Sequence, residues 1–226
     1  MCIRDILESF NAFFAPELGS GFIQKIQIDT YRREVERYGG PLALPSEGLF
    51  GIDSELVLRL KKILVAEVNK DNEWLLLFKV MTIYLDVFGL EGKERIDFLR
   101  ERCGTFSHIF NTNKLQKRSL IQRYLNNQQV MEQMMVDIGS PYTDQAELYQ
   151  TMEWFRTELS EWYQENLQQV DVRLRKELPR SYIHMFILRF ATGKNKLHEH
   201  VLFFFLKRYY LQQGEKKARA ISQYAL

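Results

Sequence analysis

The chain has 226 residues, of which 46% are hydrophobic and 27% are charged, and its formal net charge is +2. These proportions are typical of a globular protein and argue against a disordered chain. Lysine and arginine are spread along the chain among acids, so the charge does not predict nucleic acid as a direct partner.

The two cysteines, Cys2 and Cys103, lie far apart in the sequence. They predict neither a disulfide scaffold nor a paired-cysteine zinc site, and they fit a reducing compartment. The N-terminus lacks the apolar run of a secretory signal. The most apolar stretches are Trp74–Leu90, which charged residues interrupt, and Val201–Leu211, which is shorter than the ~20 residues of a membrane span. We therefore expect a cytoplasmic protein.

The first predicted element is a helix over Ile3–Phe14, whose apolar residues recur at helical spacing and which Pro16 and Gly19 are expected to end. A short strand over Phe22–Ile28 follows, because polar and apolar residues alternate there. A lone strand leaves its backbone donors and acceptors unpaired. We therefore expect it to be the remnant of a small α+β sheet whose partner strands this chain lacks.

Beyond a loop predicted over Pro41–Gly51, all remaining segments have helical patterns, and Asp53 or Ser54 is expected to cap the first of these helices. The others are Asn72–Phe88, Lys93–Cys103, Lys114–Asn126, Asp144–Glu177, a helix that Pro179 begins, and Lys196–Gln212. The prediction is a single domain over residues 1–226, mainly α, with one short β-strand.

Four histidines are available for chemistry: His108, His184, His198 and His200. His198 and His200 are two residues apart and leave a helix in different directions, so no metal site is predicted. A phosphate-binding glycine loop and a nucleophile elbow are both absent from the sequence, and no cofactor is predicted. From the residues alone, His184 is either a histidine of the core boundary or an acid–base catalyst.

The densest polar segment, Tyr31–Gly40, reads YRREVERYGG and directly follows the predicted strand. Its arginines, Arg32, Arg33 and Arg37, could grip a carboxylate, because a guanidinium group matches both carboxylate oxygens. The alternative is a lattice of ion pairs with the intervening glutamates that braces the turn.

Three stretches resemble signatures of one family, the class I lantibiotic dehydratase C-terminal or thiopeptide-type bacteriocin biosynthesis domains. Asp29–Pro41 is similar to the signature TYxREVERYGG, and Leu49–Ser54 resembles the "FxxDS" step that follows it. Ile183–Phe190 resembles the "HMHxNRL" helix, with Phe186 in place of the second histidine and Leu188 in place of the asparagine. Glu199 matches the acid that follows that helix.

The resemblance implies β-elimination of glutamate from glutamylated serine or threonine of a precursor peptide, which leaves dehydroamino acids. It implies catalytic roles for Arg37, His184 and Arg33, with His184 as the acid–base group. The expected substrate-binding residues are Arg32, Tyr38, Arg189 and Glu199, and the last two are also expected to orient the helix that carries His184.

The partners that the resemblance implies are the precursor peptide, a glutamylating dehydratase domain or subunit, and a cyclase. The edge of the predicted strand adds a homodimer to these expectations. The family begins with an arginine-bearing strand that we do not find here, so we expect a domain that is short at its N-terminus. Two alternatives stay open: a non-catalytic or truncated peptide-binding module, and an enzyme that forms the pyridine ring of thiopeptides by cycloaddition.

Overall fold

The computed structural model describes residues 3–20, 38, 40–66, 73–137, 146–191 and 195–224. The chain divides into two compact units, Met1–Glu34 and Val35–Leu226. Helix α1 (Ile3–Gly19) belongs to the first unit. The described helices of the second unit are α2 (Ala43–Ala66), α3 (Glu73–Val87), α4 (Gly92–Ile109), α5 (Lys114–Asp137), α6 (Ala146–Leu167), α7 (Val172–Phe190) and α8 (Asn195–Tyr224).

The prediction of a mainly α protein is confirmed, and no strand occurs within the described ranges. The predicted strand Phe22–Ile28 lies outside those ranges. None of the helices that the structure describes is long and apolar enough to cross a membrane.

Helix α3 is the centre of the second unit. Ten of the eleven positions from Leu75 to Leu85 are buried, and the helix packs against α5, α6, α7 and α8. A helix that is apolar all round has no solvent face and must lie inside the fold. Helices α2 and α6 pack against each other on one part of this core, and α4 and α8 on another.

The prediction of a loop over Pro41–Gly51 is wrong, because α2 begins at Ala43. Pro45 lies in the first turn, where a missing N–H costs little. Buried positions recur at helical spacing through this stretch, at Leu42, Ser46, Leu49, Asp53 and Leu56. Asp53 and Ser54 are consequently inside α2 and do not cap it.

The predicted helix Asp144–Glu177 is two helices in the structure, and Pro179 lies inside the second of them instead of starting it. Asp171 caps α7, because its carboxylate accepts hydrogen bonds from the backbone N–H groups of Arg173 and Leu174 at 2.9 and 3.2 Å. Four predicted ends were too early: α1 continues past Pro16, α4 past Gly104, α5 past Asn126 and α8 past Gln212.

Candidate functional site

His184 on α7 and Glu199 on α8 form a direct contact between two predicted site residues. The Nδ1 atom of His184 lies 2.7 Å from Oε2 of Glu199. The Glu199 side chain is 6% exposed and that of His184 is 26% exposed. A carboxylate only accepts hydrogen bonds, so the imidazole donates from Nδ1, and in the neutral ring Nε2 is then left as an acceptor. The contact therefore orients the imidazole of a partly exposed histidine.

A second cluster lies where α7 packs against α2. The guanidinium carbon of Arg189 is 4.4 Å from the centre of the Phe50 ring, and its Nη1 is 3.8 Å from Oδ2 of Asp53. Tyr84 on α3 donates a hydrogen bond to the other oxygen of Asp53. The charge of Arg189 therefore contacts a carboxyl group and an aromatic ring, both on α2.

Asp53 is completely buried at the centre of this cluster. Burial raises its pKa to about 7, against the opposing effects of the Tyr84 hydrogen bond and the Arg189 charge. Among the described residues, neither Oδ2 of Asp53 nor Nη1 of Arg189 makes a hydrogen bond. Their contact is thus a long ion pair inside the core.

Tyr38 belongs to the same cluster, although it precedes α2. Its ring is stacked on that of Tyr182 at 5.5 Å and meets the Phe50 ring edge-on at 5.5 Å. Phe50 in turn contacts Arg189. Three of the stretches that carry the family resemblance therefore meet here: the end of the YRREVERYGG segment, the Phe50–Asp53 step and the α7 helix.

The structure does not bring His184 and Arg189 together. They are five residues apart on α7, which turns about 100° per residue, so their side chains leave the helix about 140° apart. His184 contacts α8 and Arg189 contacts α2. The candidate site is thus a histidine–carboxylate pair on one side of α7 and an aromatic cluster on the other.

The two departures from the family pattern on α7 have different surroundings. Phe186 is fully buried and packs against the rings of Phe155 and Phe190. Leu188 is 42% exposed and lies one helical turn from His184. The first replacement adds to the core, and the second lies on the surface beside the imidazole.

Arg32, Arg33 and Arg37 lie outside the described residues. The members of the cluster that were not predicted as site residues are Phe50, Asp53, Tyr84 and Tyr182. A signal for Asp53 was present, because the "FxxDS" resemblance marks it. Tyr84 and Tyr182 carried no such signal, since each stands within an apolar helix.

No group of histidine, cysteine, aspartate and glutamate within the described ranges has the arrangement of a metal site. His200 is buried and stacked on Phe110, with ring centroids 5.4 Å apart, and burial lowers its pKa. Two cavities, of about 640 and 490 Å³, open elsewhere on the second unit. Neither is lined by His184, Glu199 or Tyr38.

The three stretches that carry the family resemblance converge in the structure, and a direct comparison supplies the family. The family model for the lantibiotic biosynthesis dehydratase C-terminal domain matches residues 2–210. The chain therefore belongs to the lantibiotic dehydratase C-terminal family. Curated proteins and solved structures give no significant match.

Membership of this family indicates a role in lantibiotic biosynthesis, since the domain is part of the dehydratase enzymes. It also implies interaction with a precursor peptide and with other domains of the biosynthetic machinery.

Proposed function

We propose that the chain removes glutamate by β-elimination from glutamylated serine or threonine residues of a precursor peptide. A base takes the α-proton, and the electron pair of that C–H bond forms the Cα–Cβ double bond. The Cβ–O bond breaks, its electron pair stays on the oxygen, and glutamate leaves as a carboxylate. The observation that supports this proposal most directly is the 2.7 Å contact between His184 and Glu199.

His184 is the proposed base. Its Nδ1–H is donated to Glu199, so the lone pair of Nε2 is available for the α-proton. The carboxylate of Glu199 stabilises the imidazolium ion that results. Because Glu199 is buried and His184 is partly exposed, the histidine is the member of the pair that substrate can reach.

Arg37, with Arg33 as a second candidate, is proposed to hold the departing carboxylate, which gains negative charge as the Cβ–O bond breaks. Arg32 and Tyr38 are proposed to complete the peptide-binding segment. Tyr38 is anchored between Tyr182 and Phe50, and it directly follows Arg37 in the sequence. A separate glutamylating dehydratase domain or subunit is the proposed source of the substrate, in the cytoplasm.

The test incubates the full chain with a pre-glutamylated precursor peptide and follows the peptide's mass. We expect loss of one glutamic acid per modified residue, loss at least about 100-fold slower with His184→Gln, and no loss with Arg37→Ala. His108→Gln is the matched control, since His108 is exposed at the end of α4, and it should retain full activity. An unchanged mass with the folded wild-type chain, or elimination by His184→Gln at the wild-type rate, contradicts the proposal.

A non-catalytic peptide-binding module is the second candidate. One observation favours it: His184 and Arg189 contact different helices, and the Arg189 charge is engaged by Asp53. A folded chain that binds precursor peptide without changing its mass would establish this candidate.

A further inference from the structure

A cavity of about 490 Å³ lies between α3, α5 and the first half of α8. Its floor is apolar and well packed. Leu77, Leu202 and Phe205 are buried, and the Trp74 ring meets the Phe205 ring edge-on, with their centroids 5.8 Å apart. A concave apolar floor of this size with a few polar groups on its rim is typical of ligand sites in proteins.

Among the described residues, one cation on the rim has no acidic partner. Glu73, which lines the cavity, is ion-paired with Lys61. Arg123 on α5 also lines it, and its guanidinium group makes no ion pair with any residue in the described ranges. The cavity therefore combines an apolar floor with a positive charge that no described residue neutralises, which matches a ligand that has an apolar group next to a carboxylate.

Two further rim groups are suited to a peptide backbone. Asn127 lies one helical turn from Arg123, and its Nδ2 donates a hydrogen bond to the Arg123 carbonyl at 2.8 Å. This contact orients the amide and leaves its Oδ1 as an acceptor for a peptide N–H. His198, exposed on α8, adds an imidazole beside the same opening.

The cavity is also close enough to the histidine pair to serve the same peptide. Ala191, at the end of α7, lines the cavity and is seven residues from His184. Seven residues of helix span about 10 Å, which an extended peptide covers with about three residues.

We propose that this cavity is a second peptide-binding site, which takes a large apolar side chain adjacent to an acidic side chain, with Arg123 as the carboxylate-binding residue. That the bound peptide is the precursor rests on the proposed function, whereas the binding chemistry does not. An acidic and apolar pair about three residues from the modified serine or threonine would then be preferred.

The test uses short, fluorescently labelled and C-terminally amidated peptides of glycine and serine that contain one Leu-Glu pair, and measures binding to the full chain by anisotropy. Peptides with Leu-Gln or Ala-Glu in the same place are the ligand controls. We expect saturable binding of the Leu-Glu peptide, and about tenfold weaker binding of both controls and of the Leu-Glu peptide to Arg123→Gln, as for one lost charge-assisted or apolar contact. Arg118→Gln, an exposed arginine on the same helix outside the cavity, should bind like wild type.

Equal binding by the Arg123→Gln and Arg118→Gln variants, equal binding of the three peptides, or no binding overturns the proposal. A non-amidated peptide that ends in leucine and binds more tightly would also overturn it, because the carboxylate would then be a C-terminus. These peptides carry no glutamyl ester, so the result does not depend on elimination. If elimination occurs but binding does not depend on Arg123, only the proposal of this second site is rejected. If binding depends on Arg123 but no elimination occurs, only the proposed function is rejected.

Discussion

The rings of Tyr38 and Tyr182 lie face to face, with their centroids 5.5 Å apart and their planes 9° from parallel. The Tyr182 hydroxyl is 2.9 Å from Oγ of Ser46, and that hydroxyl of Ser46 donates to the carbonyl of Leu42 at 2.7 Å. Since serine has one hydroxyl proton, Tyr182 is the donor to Ser46. The stack therefore connects the segment before α2 to α7, and the hydrogen bond from Tyr182 to Ser46 adds a second connection between α7 and α2.

Replacing Tyr182 should separate the contribution of its ring from that of its hydroxyl. Tyr182→Phe removes one hydrogen bond and leaves Ser46 bonded to Leu42, so we expect a loss of about 1 kcal/mol in the free energy of unfolding. Tyr182→Ala also removes a fully buried ring and should cost about 3–5 kcal/mol. Denaturant unfolding measures both, and equal losses would show that the stack contributes little.

His184 and Glu199 should act as one unit in elimination. We expect His184→Gln to lower the single-turnover rate by about 10²–10⁴-fold, the usual effect of a lost general base. Glu199→Gln should lower it less, because the imidazole remains. The double variant should be no slower than His184→Gln alone, since Glu199 acts only through the histidine. Additive losses would indicate that Glu199 contacts substrate independently.

Asp53 should make the stability of the fold fall as the pH rises. Its pKa is raised from 3.8 to about 7 by burial, so between these values the folded state binds more protons than the unfolded state. The stability from this group is present below pH 3.8, is lost as the pH rises to about 7, and changes no further above it. The slope is at most about 1.4 kcal/mol per pH unit.

Asp53→Asn should remove this dependence, because the amide does not titrate. The difference in unfolding free energy between the variant and wild type should therefore change between pH 4 and pH 7, in the direction that favours the variant at the higher pH. Asp97→Asn is the matched control, since Asp97 is an exposed member of an ion pair on α4. A difference that does not change with pH would contradict the raised pKa.

Restoring the two family residues on α7 should have unequal effects. Phe186→His puts a polar ring into a fully buried position and removes ring packing, so we expect a loss of about 3 kcal/mol. Leu188→Asn changes an exposed position and should stay within about 0.5 kcal/mol of wild type. Thermal or denaturant unfolding compares them, and similar losses would contradict the assignment of Phe186 to the core.

The helical class could be predicted from the sequence, because the hydrophobic spacing is strong and α3 is apolar along its length. The predicted helix Asn72–Phe88 differs from α3 by one residue at each end. The first half of α2 could not, because proline, glycine and serine mark turns locally and only burial against α6 and α7 makes the helix favourable. Both members of the His184–Glu199 pair were named from the sequence, but their contact depends on how α7 packs against α8.

The composition of α2 has a consequence for the order in which the fold is lost. Its second half, from Glu55 to Ala66, is rich in leucine, lysine and arginine, which favour a helix without outside help. Its first half contains Pro45, Gly48 and Gly51, and its helical conformation depends on the burial of apolar residues such as Leu49. Helix formation in this half and its packing against α7 are therefore coupled and occur together. Amide hydrogens there exchange when that docking opens, so the aromatic cluster around Tyr38 melts together with it while the rest of α2 persists.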